Sequence, residues 1–301
     1  MHLNEVRKYC DRLPPTHLEF FYHDHFDALS IMTTDFDAIA TVVEQHEAHG
    51  WATQVTAASR GENPLGAVVS TSGPTPCSAL RALNFAAFNR VVGLGSGHEV
   101  TTTTVDALLD FYRAHQQSRF VIETTPHTSP AVVQWLEERG LVPQPHRIAK
   151  NVHFLNDLPP RSAVDIVRLT QADLPTIASI NCQAWGLPRM FRSWFGAPLD
   201  VSGFQYYGVV DDGAVVAVGM LYVNDGCAWA SDSATLPSHQ GRGYHRALQL
   251  HRLHESLAQG VRLVHTENVI DAPTFDSGSY HNNRKLGFVH LYDKVPYGPL
   301  P

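Results

Sequence analysis

The chain has 301 residues, 44% of them hydrophobic and 17% charged, with a formal net charge of −7 at pH 7. That length accommodates two domains of ordinary size, each with its own core, while the acidic balance removes any global pull toward nucleic acid. No apolar run approaches the ~18–20 residues of a membrane span and the N-terminal Met1–Leu13 is charged throughout, unlike a secretory signal. The expectation is therefore a cytoplasmic protein with neither a nucleic-acid nor a membrane partner.

In chain order, residues 1–13 have the spacing of a short amphipathic helix that Pro14-Pro15 stops, and 17–31 show no assignable pattern. Asp35–His49 reads as a helix with Phe36, Ile39, Ala40 and Val43 on its apolar face and Gly50 as its end. Ala67–Ser70 is a strand, followed by turn-rich Ser72–Pro76. Val91–Leu94 looks like a strand end. Val105, Leu108, Leu109 and Tyr112 fall at helical spacing, Phe120–Ile122 is a buried strand, and Ser129-Pro130 opens a helix that Gly140 stops. Leu158–Ser162, with its proline pair, is a stiff connector and the natural boundary. Beyond it come a strand over Val164–Leu169 and a helix capped by Thr170 through Ala184. A hairpin follows, Tyr206–Val210 and Ala214–Tyr222, turning at Asp211-Asp212-Gly213. Cys227–Ala234 is the next strand. Ala247, Leu250, Leu253 and Leu257 stripe a helix, Leu263-Val264 is a strand, Ser279–Leu286 a helix and Phe288–Val295 a final strand.

The two halves repeat one another. Arg119–Thr124 and Arg262–Glu267 are similar strands 143 residues apart, and the helices after them end in Gly140 and Gly287, 147 residues apart. A repeat of half the chain argues for duplicated domains rather than a solenoid, with domains over 1–157 and 162–301.

The stretch richest in chemistry is Ala234–Leu257, where a strand ends in a basic glycine turn and a helix begins. Gly241 and Gly243 permit a sharp turn and close approach of backbone to a ligand. The first amides of a helix lack internal partners and sit at the positive end of its dipole, so they form an anion site, to which Arg242, His245 and Arg246 add charge or donors. A bound phosphate or pyrophosphate follows. The turn has neither the lysine of a P-loop nor the third glycine of the dinucleotide fingerprint. Gln240-Gly241-Arg242-Gly243-Tyr244-His245 instead resembles the Q/R-x-x-G-x-G/A signature of GNAT-family (GCN5-related) N-acetyltransferases, with His245 where the family has Gly or Ala. Ser279 and Asn282, in Ser279–Phe288, are similar to the family's S-x-x-N-x-x-[KR]-x-G-F. The resemblance is specific over 204–295 and weaker over 85–153.

The resemblance implies an α/β (α+β) fold of two tandem GNAT-like domains, each a mixed, mostly antiparallel central sheet flanked by helices. It implies acetyl-CoA as co-substrate, its pyrophosphate on Gln240–Arg246, its arm paired with Ala234, Thr235 and Leu236, and Ser279 and Asn282 facing that arm. An amide near Leu236 would support the developing oxyanion. The acceptor would be an amine on a small molecule or peptide, in a site shaped by Trp185–Phe195, whose two arginines hint at an acidic group. Asp232 and Glu267 are the candidate bases. The family's acidic tyrosine falls at Asn283, leaving Tyr280 as the substitute acid. The first half lacks the basic glycine turn, since Val92–Thr102 does not match it, and is expected not to bind acetyl-CoA. A homodimer is compatible with all of this.

Other readings are weaker. Cys10, Cys77, Cys182 and Cys227 are scattered without C-x-x-C, which suggests neither disulfides nor a zinc site. Eighteen histidines, including His23 and His25, and His251 and His254 with Glu255, raise a metal-dependent hydrolase, but H-E-x-x-H is missing. No metal is expected. The main alternative is a non-catalytic CoA-binding or regulatory protein, which Asn283 and His245 favour.

Overall fold

The computed structural model describes residues 36–300, apart from 61, 71, 72, 74 and 272–277. The helix expected over 1–13, Cys10 and the His23–His25 pair lie outside the described residues. Six helices are relevant to the site: Phe36–Ala58 (α1), Thr102–Ala114 (α2), Pro130–Glu138 (α3), Leu174–Trp185 (α4), Tyr244–Ala258 (α5) and Gly278–Lys285 (α6). The strands of the first half are Ala67–Ser70 (β1), Cys77–Leu80 (β2), Arg90–Val91 (β3), Val121–Thr124 (β4), Val142–Pro143 (β5) and His146–His153 (β6). Those of the second are Ile166–Leu169 (β7), Phe204–Asp211 (β8), Ala214–Asn224 (β9), Cys227–Thr235 (β10), Leu263–Asp271 (β11) and Val289–Gly298 (β12). Among the described residues no helix is long and apolar enough to cross a membrane.

Local chemistry explains most boundaries. Thr101 caps α2 by accepting from the Thr104 amide, and Thr170 and Asp173 form a reciprocal capping box before α4. Gly186, at φ 64°, ends α4 in the left-handed conformation. The alternation of strand side chains splits the second half into two cores. Phe204, Tyr206, Val218, Met220 and Tyr222 face α1 and α4, whereas Tyr207, Val209, Ala217 and Leu221 face Leu248, Leu250 and Leu253 of α5.

All twelve strands join one sheet, ordered β1-β2-β3-β4-β12-β6-β11-β10-β9-β8-β7, with β5 beside β12. Among the described residues two pairings are parallel, β3 with β4 and β10 with β11. These are the equivalent strands of the two repeats. Between them the last strands of the halves change places. β6, from the first half, lies antiparallel to β11 over eight residue pairs. β12, from the second, lies between β6 and β4.

The first described helix corrects one sequence expectation. α1 does not stop at Gly50 but runs on to Ala58. A Cβ at Gly50 would stand 2.8 Å from Cδ1 of Tyr222 and 3.2 Å from Trp229, so the glycine permits close crossing of α1 over β9 and β10. The buried face of α1 also carries Glu44, His46, Glu47 and Gln54, polar groups that a search for apolar periodicity passes over.

Candidate functional site

The parallel ladder of β10 and β11 is confined to Cys227–Trp229 and Leu263–His265. Beyond it the strands part. Ser231, Asp232 and Ser233 then form one wall of a cleft of about 490 Å³ and Thr266, Glu267 and Asn268 the other. A bulge helps to open it: between Ser231 and Ala234 three steps of β10 oppose two of β9, and Asp232 takes φ 47°. Arg252, fully buried on α5, fastens the bulge from below. Its guanidinium donates to the carbonyls of Met220 (2.7 Å) and Ser231 (2.9 Å), to Ser233 Oγ (2.7 Å), and to Gln249.

The glycine turn lies past the end of β10. Gly241 (φ 78°) and Gly243 (φ 81°) occupy the left-handed region, and a Cβ on either would meet open space. Steric crowding by the protein is thus not what calls for glycine; the backbone conformation is. Arg242 donates to Asp211 Oδ2 (3.0 Å), which also accepts from the Tyr244 hydroxyl (2.7 Å). The hairpin aspartate thereby anchors the turn. Arg242 and Arg246 remain exposed beside the first amides of α5. This open, cationic helix start suits a pyrophosphate.

The matching place in the first half is built differently. Gly93, Gly95 and Gly97 all have positive φ, but Gly93 faces Ala48 Cβ and the Glu44 carbonyl, and Gly97 faces Gln45. Here the glycines make room for α1. The Thr101 side chain occupies the α2 start.

The remaining residues named from the sequence divide. His245 lines the cleft but turns toward α6, its ring nitrogens 3.2 Å from Ser279 Oγ and 3.3 Å from Asn282 Nδ2. Burial, aided by the Arg252 charge, lowers its pKa to about 4, so it is neutral at pH 7. Ser279 also accepts from Asn268 Nδ2 (2.9 Å). Asn283 is buried and donates to Asn268 Oδ1 (2.9 Å). Tyr280 packs edge-on against His290 at 6.3 Å and does not line the cleft. The Leu236 amide donates to the Val216 carbonyl (2.9 Å), so it points toward β9. By strand alternation the neighbouring Thr235 amide faces the opposite side. Arg189 and Arg192, from the aromatic segment after α4, are not in the cleft wall either, whereas Trp185, Leu187 and Trp194 are.

The two carboxylates of the cleft have opposite electrostatics. Burial raises Asp232 to about 6, against hydrogen bonding from Gln54 and the Arg252 charge; Gln54 Nε2 donates to it at 3.1 Å. Burial would raise Glu267 as well, but Lys150, Lys294 and Arg90 hold it well below the usual carboxylate range. Its oxygens lie 3.1 Å from Lys150 Nζ, 2.7 Å from Lys294 Nζ and 3.3 Å from Arg90. A carboxylate so engaged is a weak base.

Glu267 belongs to a buried ion cluster that sequence patterning did not reveal. Arg90 also pairs with Glu47 and with Glu123 (2.9 Å). Lys150 pairs with Glu47 and Glu44, and Lys294 with Glu44, Glu47 and Glu123. Four carboxylates thus face three cations. Burial and the Glu267 charge raise Glu47 to about 8, so a proton on Glu47 balances the cluster at three against three.

Among the described residues two trios stand close enough to share a metal ion: Glu47, Glu123 and Glu267, and His46, Cys227 and His265. In the first, each carboxylate is already paired with the cluster's cations. In the second, His46 Nδ1 and His265 Nε2 are hydrogen-bonded to each other at 2.9 Å, and burial lifts the Cys227 thiol to about 12. Sequence spacing could not foresee that trio, because its members come from α1, β10 and β11.

Comparison with known proteins adds to this geometry. The model of the acetyltransferase (GNAT) family matches residues 170–288. None of the curated proteins matches the sequence. Among solved structures, a GCN5-related N-acetyltransferase from Kribbella flavida is similar at 16% identity and a TM-score of 0.58, over 84% of this chain and 95% of its own. A tandem GNAT protein from the clavulanic acid biosynthesis pathway is similar at 14% identity and 0.57, over 89% and 97%. A GCN5-related N-acetyltransferase from Sphaerobacter thermophilus is similar at 17% and 0.51, over 69% and 70%. At these identities the likeness to the solved structures is one of fold.

Proposed function

We propose, from the premise that residues 170–288 are a GNAT-family acetyltransferase domain, that the chain transfers an acetyl group from acetyl-CoA to a primary amine. The observation that carries the reading is the parting of β10 and β11 into a cleft whose open end meets an exposed, cationic helix start.

In this reading the amides of Gly241–Arg246, with Arg242 and Arg246, hold the pyrophosphate, and the backbone edge at Thr235, which faces away from β9, pairs with the arm, whereas Ala234 is buried and paired with Val218 of β9. Acetyl-CoA supplies the activated acyl group. The Thr235 amide replaces that of Leu236 as the backbone donor toward the developing oxyanion, since Leu236 is committed to Val216. Asp232, with its pKa near 6, takes the proton of the incoming amine at neutral pH. Glu267 stays ionised within its cluster and shapes the field of the cleft. Among the described residues no tyrosine lines the cleft, so water supplies the proton that the leaving sulfur needs.

One observation favours the second reading, a CoA-binding protein without turnover: Asn283, at the family's tyrosine position, is buried in an amide chain with Asn268. Two measurements separate the possibilities. Calorimetry with acetyl-CoA on wild type and Gly243→Trp should show binding that the substitution abolishes. Thiol release over an amine panel should then show turnover. Binding without release for any amine favours the second reading, and absence of wild-type binding overturns both.

A further inference from the structure

The cleft has two chemically distinct sides. Its polar side chains come mainly from β10, β11, α5 and α6, the elements that would hold the acyl donor. Its aromatic side chains are Trp51 of α1, Phe85 and Phe88 of the loop before β3, Trp185 and Trp194 at and after the end of α4, and Trp229 of β10, with Phe88 packed on Trp51, Phe85 and Trp194. The first half thus supplies much of the cleft's aromatic wall.

This wall continues to the surface. Among the described residues, the large hydrophobics exposed to solvent are Val42, Phe85, Val167, Trp185, Val269 and Leu300. Phe85, Trp185 and Val269 all border the cleft, though they come from three separate elements. Phe85 is 45% exposed and Trp185 42%. Apolar side chains left in water and gathered at one mouth mark a surface that a ligand covers.

The charges in the cleft exclude an anionic ligand. Arg90 is the cation in its lining, and its guanidinium is already shared among Glu47, Glu123 and Glu267. Arg252 lies below the floor and donates inward. A carboxylate or phosphate on the acceptor would face Asp232 and Glu267 with no cation among the described lining residues free to receive it. An ammonium group would meet Asp232, the carboxylate whose hydrogen bond comes from neutral Gln54.

We infer that the acceptor is a primary amine on an apolar, ring-bearing body that carries no acidic group, the amine directed to Asp232 and the ring to the Trp185–Phe85 mouth. This deepens the acetyltransferase reading and rests on it for turnover, but the ligand chemistry is testable without turnover. It also revises the acidic acceptor suggested by Arg189 and Arg192, whose side chains lie outside the cleft wall.

The test uses the full-length protein and three probes: 2-phenylethylamine, phenylalanine, which adds a carboxylate, and glucosamine, which exchanges the ring for hydroxyls. Binding is followed by calorimetry without donor, and turnover by thiol release with saturating acetyl-CoA. The expected result is at least tenfold tighter binding and tenfold higher kcat/KM for 2-phenylethylamine than for the other two. Trp185→Ala and Phe85→Ala, both exposed and so compatible with folding, should each raise its KM at least tenfold, with kcat within about twofold and acetyl-CoA affinity unchanged. Preference for phenylalanine or glucosamine, or indifference to both substitutions, overturns the inference. Binding of 2-phenylethylamine that Trp185→Ala abolishes, without thiol release, upholds the ligand chemistry and overturns the transferase reading alone.

Discussion

Arg90, on β3, reaches the carboxylate of Glu267, on β11, across 3.3 Å. One residue comes from each half, and both line the cleft. The floor of the site is therefore a joint product of the repeats, and its charge depends on both.

Glu267→Gln tests what that carboxylate does. Removing its charge also removes the neighbouring charge that helps keep Glu47 protonated, so Glu47 ionises and the cluster stays at three carboxylates against three cations. Chemical denaturation should therefore show a loss below the about 3–5 kcal/mol of a buried pair left broken. The pH dependence of kcat/KM in whatever folds should keep its acidic limb, because the limb belongs to another group.

In the proposed mechanism that group is Asp232. Activity should rise with pH through about 6 and then level off. Asp232→Asn should lower kcat/KM by roughly 10²–10⁴-fold and remove the limb, while acetyl-CoA affinity measured by calorimetry holds. Stability has the opposite sign. The folded pKa lies above the ordinary 3.8, so the contribution of neutral Asp232 is complete below about 4 and is lost as pH rises through 6. A retained acidic limb in the Asn variant would sink the assignment.

Glu47 offers a sharper contrast. With its pKa raised to about 8, it is protonated at pH 7 and hydrogen-bonds Glu267. Glu47→Gln keeps a neutral donor there and should change stability at pH 7 by less than about 1 kcal/mol, whereas Glu47→Ala leaves the buried donors of Arg90, Lys150 and Lys294 that it accepts without that partner and opens a cavity, and should cost about 3 kcal/mol or more. The Glu47 contribution to wild-type stability is complete below pH 4.5 and lost as pH rises through 8. Denaturation at pH 6 and pH 9 should therefore show the Gln variant gaining on wild type.

Gly50→Ala sets helix propensity against packing. Alanine is the better helix former by about 1 kcal/mol, yet its Cβ would lie 2.8 Å from the Tyr222 ring. Overpacking of that kind costs about 1–3 kcal/mol. A lowered melting temperature is expected; an unchanged or higher one would mean that α1 can shift away from β9.

The glycine turn and the order of elements around it were legible because their signals are local. Gly241 and Gly243 need only their own left-handed backbone, and the stripe on α5 needs only its own period. The rest depended on distance. Gly50 looked like a helix end because nothing nearby in the chain reveals Tyr222, 172 positions later. No sequence pattern singles out Lys150 or Lys294, since a buried lysine announces itself only through the acids that surround it. Trp185–Phe195 is legible as a stretch beside the acceptor, but the partners of Trp194, Trp51 and Phe88, arrive from the other half.

The exchanged strands also impose an order of events during synthesis. β6 leaves the ribosome before either of its neighbours, β11 and β12, has been made, and β4 waits for the same β12. Until residues 289–298 emerge, the inner edges of both repeats hold unpaired amides and carbonyls, the kind of edge that recruits other chains. Lys294 on that strand also brings one of the cluster's three cations. A nascent chain halted short of β12 should thus be a client for chaperones rather than a folded half, and the two repeats should mature together or not at all.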